Sequence, residues 1–418
     1  MKFLMHRLSF FIVALIIYSS LDYYVFQAVK VVVGSFSSTG KLAVYTLYWS
    51  LTVFSFFALV VFGSVDPTKY HNLRTFLATA VFMNLLGKLT AGLFVFADDI
   101  IRLGKYAYQG LFQNGVSNPA TENGISRSEF LSKSALIAGA VPVAAMSYGI
   151  LSGAYDYRVR RRTITLENLP RAFDGIRIGQ LSDIHSGSFY NKTAVKGGVD
   201  LLNAEKPDLF LFTGDLVNNE SKEVSDYLDI FSKVKASAGK FSVLGNHDYG
   251  DYKAWGSQEA KRKNLEQLVN AHKEMGWDIL LNEHRYLEVD GERLAILGVE
   301  NWGARGFTKY GDLTKAAQHV EADTKILLSH DPSHWDAQIR PEFGDIDLTL
   351  SGHTHGFQFG VEIGNFRWSP SQYLYKQWAD LYSEGNQHLY VNRGFGFLGY
   401  PGRVGILPEI TILELKRA

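Results

Sequence analysis

Five short apolar runs in the second half of the chain each end in side chains able to bind a metal ion. GIRIGQLSDIH (175–185) ends in Asp183 and His185, and DLFLFTGD (208–215) ends in Asp215. KFSVLGNHD (240–248) ends in Asn246, His247 and Asp248, TKILLSHD (324–331) brings His330, and DLTLSGHTH (347–355) ends in His353 and His355. One histidine after such a run is most often a hydrogen-bonded turn residue. Five endings in succession, all drawing on Asp, His and Asn, point to a metal centre. Gly214, Gly245 and Gly352 stand beside these residues, where the backbone must turn sharply or approach an ion or phosphate closely. The chain has no cysteine, so disulfides and thiolate ligands are excluded and any metal is held by nitrogen and oxygen.

Those runs have the length of buried strands and are flanked by turn residues. Helical patterns such as KRKNLEQLVNAHKEMG (261–276) separate them. Strand, loop and helix in repetition predict a layered α/β domain, and such sheets bind ligands beyond the carboxyl ends of their strands. At 418 residues the chain is too long for one ordinary domain. Lys+Arg and Asp+Glu balance at 42 each, so there is no basic excess of the kind a nucleic-acid polymer would demand.

The division falls near residue 153. Residues 1–153 are apolar and aromatic, and residues 158–418 read as the α/β domain. Four segments, about 8–26, 42–63, 76–97 and 135–153, each approach the roughly 20 residues that cross a bilayer. They predict an all-α, four-helix transmembrane region and a multi-pass protein of the cell membrane. With the N-terminus inside, eight basic residues, four of them from RVRRR (158–162), lie on the inner side and six on the outer. The positive-inside rule then favours a cytoplasmic α/β domain. SRSEFLSKSALIAGA (126–140) argues the other way, towards a periplasmic or extracellular domain, because it resembles a degenerate twin-arginine export signal. Its simpler reading is a capping box between Ser126 and Glu129. Lys88 falls inside the third segment, where a charge is costly, and Asp22 of the first segment is a candidate partner.

The ordered set D-I-H (183–185), G-D (214–215), G-N-H-D (245–248), S-H (329–330) and G-H-T-H (352–355) resembles the calcineurin-like metallophosphoesterases. The ending LYVNRGFGFLGYPGRVGILPEITILEL (389–415) looks like the membrane-attached bacterial branch of that family. The resemblance implies a four-layer α-β-β-α sandwich with two divalent ions, Mn, Fe, Zn or Mg. Asp183, His185, Asp215 and His355 would hold the first ion, and Asp215, Asn246, His330 and His353 the second, with Asp215 bridging. It further implies a metal-dependent phosphoric ester hydrolase, in which a hydroxide between ions roughly 3.5–4 Å apart attacks phosphorus. His247 would then be a catalytic acid at the leaving oxygen, and Asp248 would hold an imidazole in place.

Arg393 and Arg403, in NRGFGFLGYPGR (392–403), are candidate phosphate-binding residues. The aromatic stretch 366–382, with Trp368, is a candidate roof over the substrate. An anchored phosphoesterase sits among lipid phosphates, so the expected substrate is a phosphodiester, phosphomonoester or pyrophosphate in a lipid-linked molecule, and membrane lipids are the expected partners. The alternatives are an anchored phosphodiesterase for soluble nucleotides, or a non-catalytic scaffold of the same fold.

Overall fold

The structure, a computed structural model, describes residues 2–66, 70–112, 127–364 and 366–418. It separates into two compact units, residues 1–148 and 149–418. Ser126, the expected cap of the fourth helix, lies outside the described residues, as do Lys69 and most of the loop 108–126.

The first unit consists of α1 (Lys2–Val32), α2 (Ser38–Ser64), α3 (His71–Phe112) and α4 (Arg127–Leu151), whose last residues belong to the second unit. All four helices are long and apolar enough to cross a membrane. α3 runs well beyond the expected end at Ala97, and its apolar span reaches Gln109. Past Ala97 the buried Asp98 pairs with Arg102 one turn on, at 2.5 Å, an i,i+4 pair that offsets the charge placed there.

Inside this unit Lys88 Nζ lies 2.7 Å from Asp22 Oδ1 and donates to Thr52 Oγ1 at 3.1 Å, so the expected pair forms, fully buried. Asn84 Nδ2, one turn away on α3, donates to Tyr18 Oη (2.7 Å) and Ser55 Oγ (2.8 Å). α3 and α4 approach backbone to backbone. A Cβ on Gly139 would sit 2.6 Å from the Gly87 carbonyl, a contact that only small residues permit between membrane helices.

The second unit carries β1 (Arg158–Leu166), β2 (Arg177–Leu181), β3 (Leu209–Phe212), β4 (Gly239–Ser242), β5 (Asp278–Ile279), β6 (Glu283–Val289), β7 (Glu292–Gly298), β8 (Thr324–Leu328), β9 (Leu348–Ser351), β10 (Val361–Ile363), β11 (Phe366–Trp368), β12 (Asp380–Glu384), β13 (Gln387–Val391) and β14 (Glu409–Arg417). One six-stranded sheet has the order β1-β14-β2-β3-β4-β5, and the other has β12-β13-β9-β8-β7-β6. β10 and β11 form a separate antiparallel ribbon. β2, β3 and β4 run parallel, as do β7, β8 and β9.

β3 shows how the layers arise. Leu209 and Leu211 join Val243, Ile296, Leu328 and Leu350 between the sheets, while Phe210 and Phe212 pack in the opposite layer. This is the period-2 alternation of a strand buried on both faces. α5 (Lys192–Ala204) and α7 (Gln258–Glu274) cover the first sheet through Val195, Val199, Leu202, Leu268 and Ala271. Short helical turns carrying Leu313, Trp335 and Ile339 cover Leu297, Leu327 and Leu389 of the second. The result is the expected α-β-β-α sandwich.

The arginines of 158–162 are not displayed as a free basic patch. They form β1, where Arg160 pairs with Glu362, Arg161 with Glu205, and Arg162 with Asp380.

Candidate metal centre

The polar residues after β2, β3, β4, β8 and β9 converge at the carboxyl ends of the two sheets. Asp183, His185 and His355 offer one ligand atom each, all within 4.8 Å of one another, and Asp215, His330 and His353 do the same beside them. His355 Nε2 lies 3.1 Å from Asp183 Oδ1 and 3.1 Å from His185 Nε2. Asp215 Oδ2 touches both groups, at 3.5 Å from His185 Nε2 and 3.1 Å from His330 Nε2. Asn246 joins the second group, its Oδ1 2.8 Å from His353 Nδ1.

The local backbone is bent to make this possible. Asp183, His185, Asp215, His353 and His355 all have φ between 49° and 71°. Non-glycine residues rarely adopt this left-handed conformation, and it clusters at functional sites. Gly214 precedes Asp215 with φ +96°, and a Cβ there would lie 2.9 Å from His330 Nδ1.

Each imidazole is held from behind. His330 Nδ1 donates to the Thr213 carbonyl at 2.7 Å, leaving Nε2 for Asp215. His185 Nδ1 lies 3.1 Å from Asn218 Oδ1. His353 Nε2 lies 2.8 Å from the Tyr375 hydroxyl, leaving Nδ1 to face Asn246 and His330. His355 Nδ1 lies 3.2 Å from Arg403 Nη2. The oxygen partners of His330, His185 and His353 fix which ring nitrogen meets an ion; Arg403 has no acceptor, so it packs against His355 without setting its tautomer.

Burial opposes the charging of His330, but Asp215 and Asp183 outweigh it and raise its pKa to about 10. Burial also pushes the carboxyls of Asp183 and Asp215 upwards, and the surrounding histidines more than offset this, so both stay below the usual range. A set of ionised carboxylates, an amide oxygen and buried imidazole nitrogens, with one carboxylate shared between two groups, fits a pair of divalent ions.

His247 occupies a different position. Its Nδ1 donates to the Asn218 carbonyl at 2.9 Å and its backbone N–H to Asp215 Oδ1 at 2.9 Å. The ring lines a cleft of about 600 Å³, whose floor includes His185, Asp215, Asn246, His353 and His355. The walls are mostly aromatic and aliphatic: Tyr252, Phe307, Phe357, Leu374, Leu398 and Tyr400.

Four expectations need correcting. Asp248 holds no imidazole; its carboxylate accepts from the backbone N–H groups of Gly245, Asp215, Leu216 and Val217, at 2.9–3.2 Å. Burial and the Asp215 charge raise its pKa to about 7, and those donors act in the opposite direction. Arg393 is fully buried and pairs with Glu409 (2.6 Å) and Glu362 (2.7 Å), away from the cleft. Arg403 is also buried, donating to the Gly396 carbonyl at 2.8 Å besides meeting His355; it lies against a histidine and does not reach out to a phosphate. Trp368 lies on β11 with its indole N–H 3.4 Å from Tyr373 Oη and does not line the cleft. The aromatic stretch 366–382 does reach the cleft, through Leu374 and Tyr375 and not through Trp368. The residues that sequence reasoning missed are Asn218 and Tyr252, and of these Asn218 had a local signal, a polar residue three positions after Asp215.

Two family models match the chain: "Probable Calcineurin-like phosphoesterase, transmembrane domain" over residues 6–154, and "Calcineurin-like phosphoesterase" over residues 176–357. The metallophosphoesterase YkuE of Bacillus subtilis is 30% identical over 300 residues, covering 70% of this chain and 98% of that protein. A transmembrane protein with metallophosphoesterase domain from Danio rerio is 30% identical over 388 residues, covering 88% and 81%. A metallophosphoesterase of Aquifex aeolicus is 29% identical over 286 residues, covering 65% and 98%. The second likeness runs through the helical unit as well as the sandwich, and with it the chain belongs to the calcineurin-like phosphoesterases, phosphoric ester hydrolases that work with metal ions, as a member carrying its own membrane helices.

Proposed function

We propose that the chain hydrolyses a phosphodiester, phosphomonoester or pyrophosphate bond in a lipid-linked substrate, with its catalytic unit on the cytoplasmic side. The observation that carries this reading is the pairing of a two-group donor site with a largely apolar cleft, on a chain with four helices able to cross a membrane. An acyl or prenyl chain would cover Leu374 and Leu398 as well as Phe307 and Phe357, whereas the base of a soluble nucleotide would stack on the aromatic rings alone.

In this proposal Asp183, His185, Asp215 and His355 hold one divalent ion, and Asp215, Asn246, His330 and His353 hold the other. When bound, the ions supply Lewis-acid polarisation of the phosphoryl group and of water. The chain's own residues do the rest. His247, its Nδ1–H held by the Asn218 carbonyl, presents Nε2 to the cleft and, as the imidazolium, gives the Nε2 proton to the leaving oxygen and is left neutral. General acid help of this kind is worth about 10²–10⁴-fold. Asn218 and Tyr375 hold His185 and His353 in register, and the apolar walls exclude bulk water.

The test uses full-length protein in detergent and a chromogenic bis-aryl phosphate, with and without Mn²⁺. Metal-dependent turnover, abolished by Asp215→Ala and lowered at least about tenfold by His247→Ala, supports hydrolysis. Faster turnover of a lipid-linked phosphoester than of its water-soluble headgroup supports the substrate class. Absence of both metal binding and turnover would favour a scaffold.

A further inference from the structure

The β10–β11 ribbon is turned inside out. Val361 pairs with Trp368 and Ile363 with Phe366, so by strand alternation these four share one face. The opposite face carries Glu362 and Arg367. It is this charged face that meets the body of the unit, through Glu362 with Arg393 (2.7 Å) and Arg367 with Asp380 (3.0 Å). The apolar face looks outward, with Ile363 72% and Phe366 62% exposed. An antiparallel ribbon folded for water does the opposite.

The outward strip does not end at the ribbon. Phe357 and Phe359, at the preceding alternate positions, are exposed too, and so are Tyr373 and Leu374. Phe357 and Leu374 also line the cleft. Apolar surface therefore continues from the ribbon to the mouth of the metal centre, and a contiguous exposed patch of this kind marks a contact surface.

We propose that this face docks into the headgroup region of the membrane that the chain's own helices cross. Three features favour a bilayer over another occupant. Only residues 152–157 separate the end of α4 at Leu151 from β1 at Arg158, a tether of at most about 25 Å. Within the second unit, the last turn of α4 is tied to the cleft's rim. The Gly149 carbonyl accepts from the Arg403 N–H at 3.1 Å, and Tyr400, three residues before, lines the cleft. The border of the patch also has interfacial chemistry. Trp368 and Tyr373 are residues of the bilayer interface. Arg305, exposed over the Tyr375 ring at 5.0 Å, makes no ion pair among the described residues and suits an anionic headgroup.

The proposal rests on the membrane helices and not on hydrolysis, so its test has no catalytic step. The chain lacks cysteine, so Ile363→Cys gives one labelling site in the full-length protein, and Glu288→Cys, near the opposite end of the second sheet, gives a reference. Each variant is labelled with an environment-sensitive fluorophore and reconstituted into phosphatidylcholine–phosphatidylglycerol vesicles with or without brominated acyl chains. Circular dichroism matching the parent excludes misfolded protein. Docking predicts a blue-shifted label at 363 that brominated lipid quenches, and a water-like, unquenched label at 288. A water-like, unquenched label at 363 overturns it. A blue shift that brominated lipid does not quench, and that grows with the protein-to-lipid ratio, shows a second copy covering the face and also overturns it.

Discussion

The Tyr375 hydroxyl lies 2.8 Å from His353 Nε2, on the side of the ring opposite the candidate ion. Tyr375 belongs to the aromatic stretch after the last histidine motif, and here one of its rings serves the metal centre directly. Tyr375→Phe keeps the ring and removes only this hydrogen bond. The expected outcome is a loss of about 10–100-fold in affinity for the more weakly held Mn²⁺, read by metal titration. A variant with unchanged metal affinity would remove Tyr375 from the set of orienting residues.

Arg393 and Glu409 form an ion pair with both side chains wholly buried. Arg393→Met leaves Glu409 without its main counter-charge. Breaking such a pair costs about 3–5 kcal/mol, so unfolding in mild detergent should shift by that amount. Turnover per folded molecule should stay close to the parent value. A selective rise in KM with stability intact would return Arg393 to the substrate.

Lys88 and Asp22 present the same physics inside the helical unit. Lys88→Met leaves the Asp22 carboxylate stranded, at a cost on the order of 3 kcal/mol. Lys88→Met with Asp22→Asn should recover most of that loss, because no net charge remains to be compensated. A double-mutant cycle on detergent unfolding measures the coupling. Additive losses would mean that the pair contributes nothing jointly.

His272 sets a pH dependence away from the metal centre. Its ring is buried on the inner face of α7 with Nδ1 2.9 Å from Ser242 Oγ, and burial lowers its pKa to about 3, against about 6.5 in an unfolded chain. The folded state thus binds fewer protons between these values. The stabilisation is complete above about pH 6.5 and is lost towards pH 3, by about 1.4 kcal/mol per unit. His272→Gln should flatten the acid side of the stability curve by that slope. Parallel curves for parent and variant would refute the assignment.

Much of this arrangement could be read along the chain, for a physical reason. Asp183, Asp215, Asn246, His330 and His353 each sit at the end of a strand whose apolar run is itself a local signal. The order of the runs carries the rest. Other features depend on neighbours distant in sequence. Nothing near Arg393 announces Glu362 and Glu409 as its partners, and nothing near Arg403 announces His355. The segment 392–403 reads as a phosphate-binding loop, whereas both of its arginines pack inward. Asp248 stands beside two candidate ligands, yet its carboxylate is taken up by four backbone amides from two strand ends. The ribbon's inversion is likewise invisible until Glu362 and Arg367 find their counter-ions.

The two donor groups draw on both sheets. Asp183, His185, Asp215 and Asn246 follow strands of the first, and His330, His353 and His355 follow strands of the second. Every cation held there would act as a rivet across the seam of the sandwich, fastening one half of the hydrophobic core to the other. Loss of metal would then loosen the domain as well as silence it, so that chelation reaches the fold through the same atoms by which it reaches the chemistry.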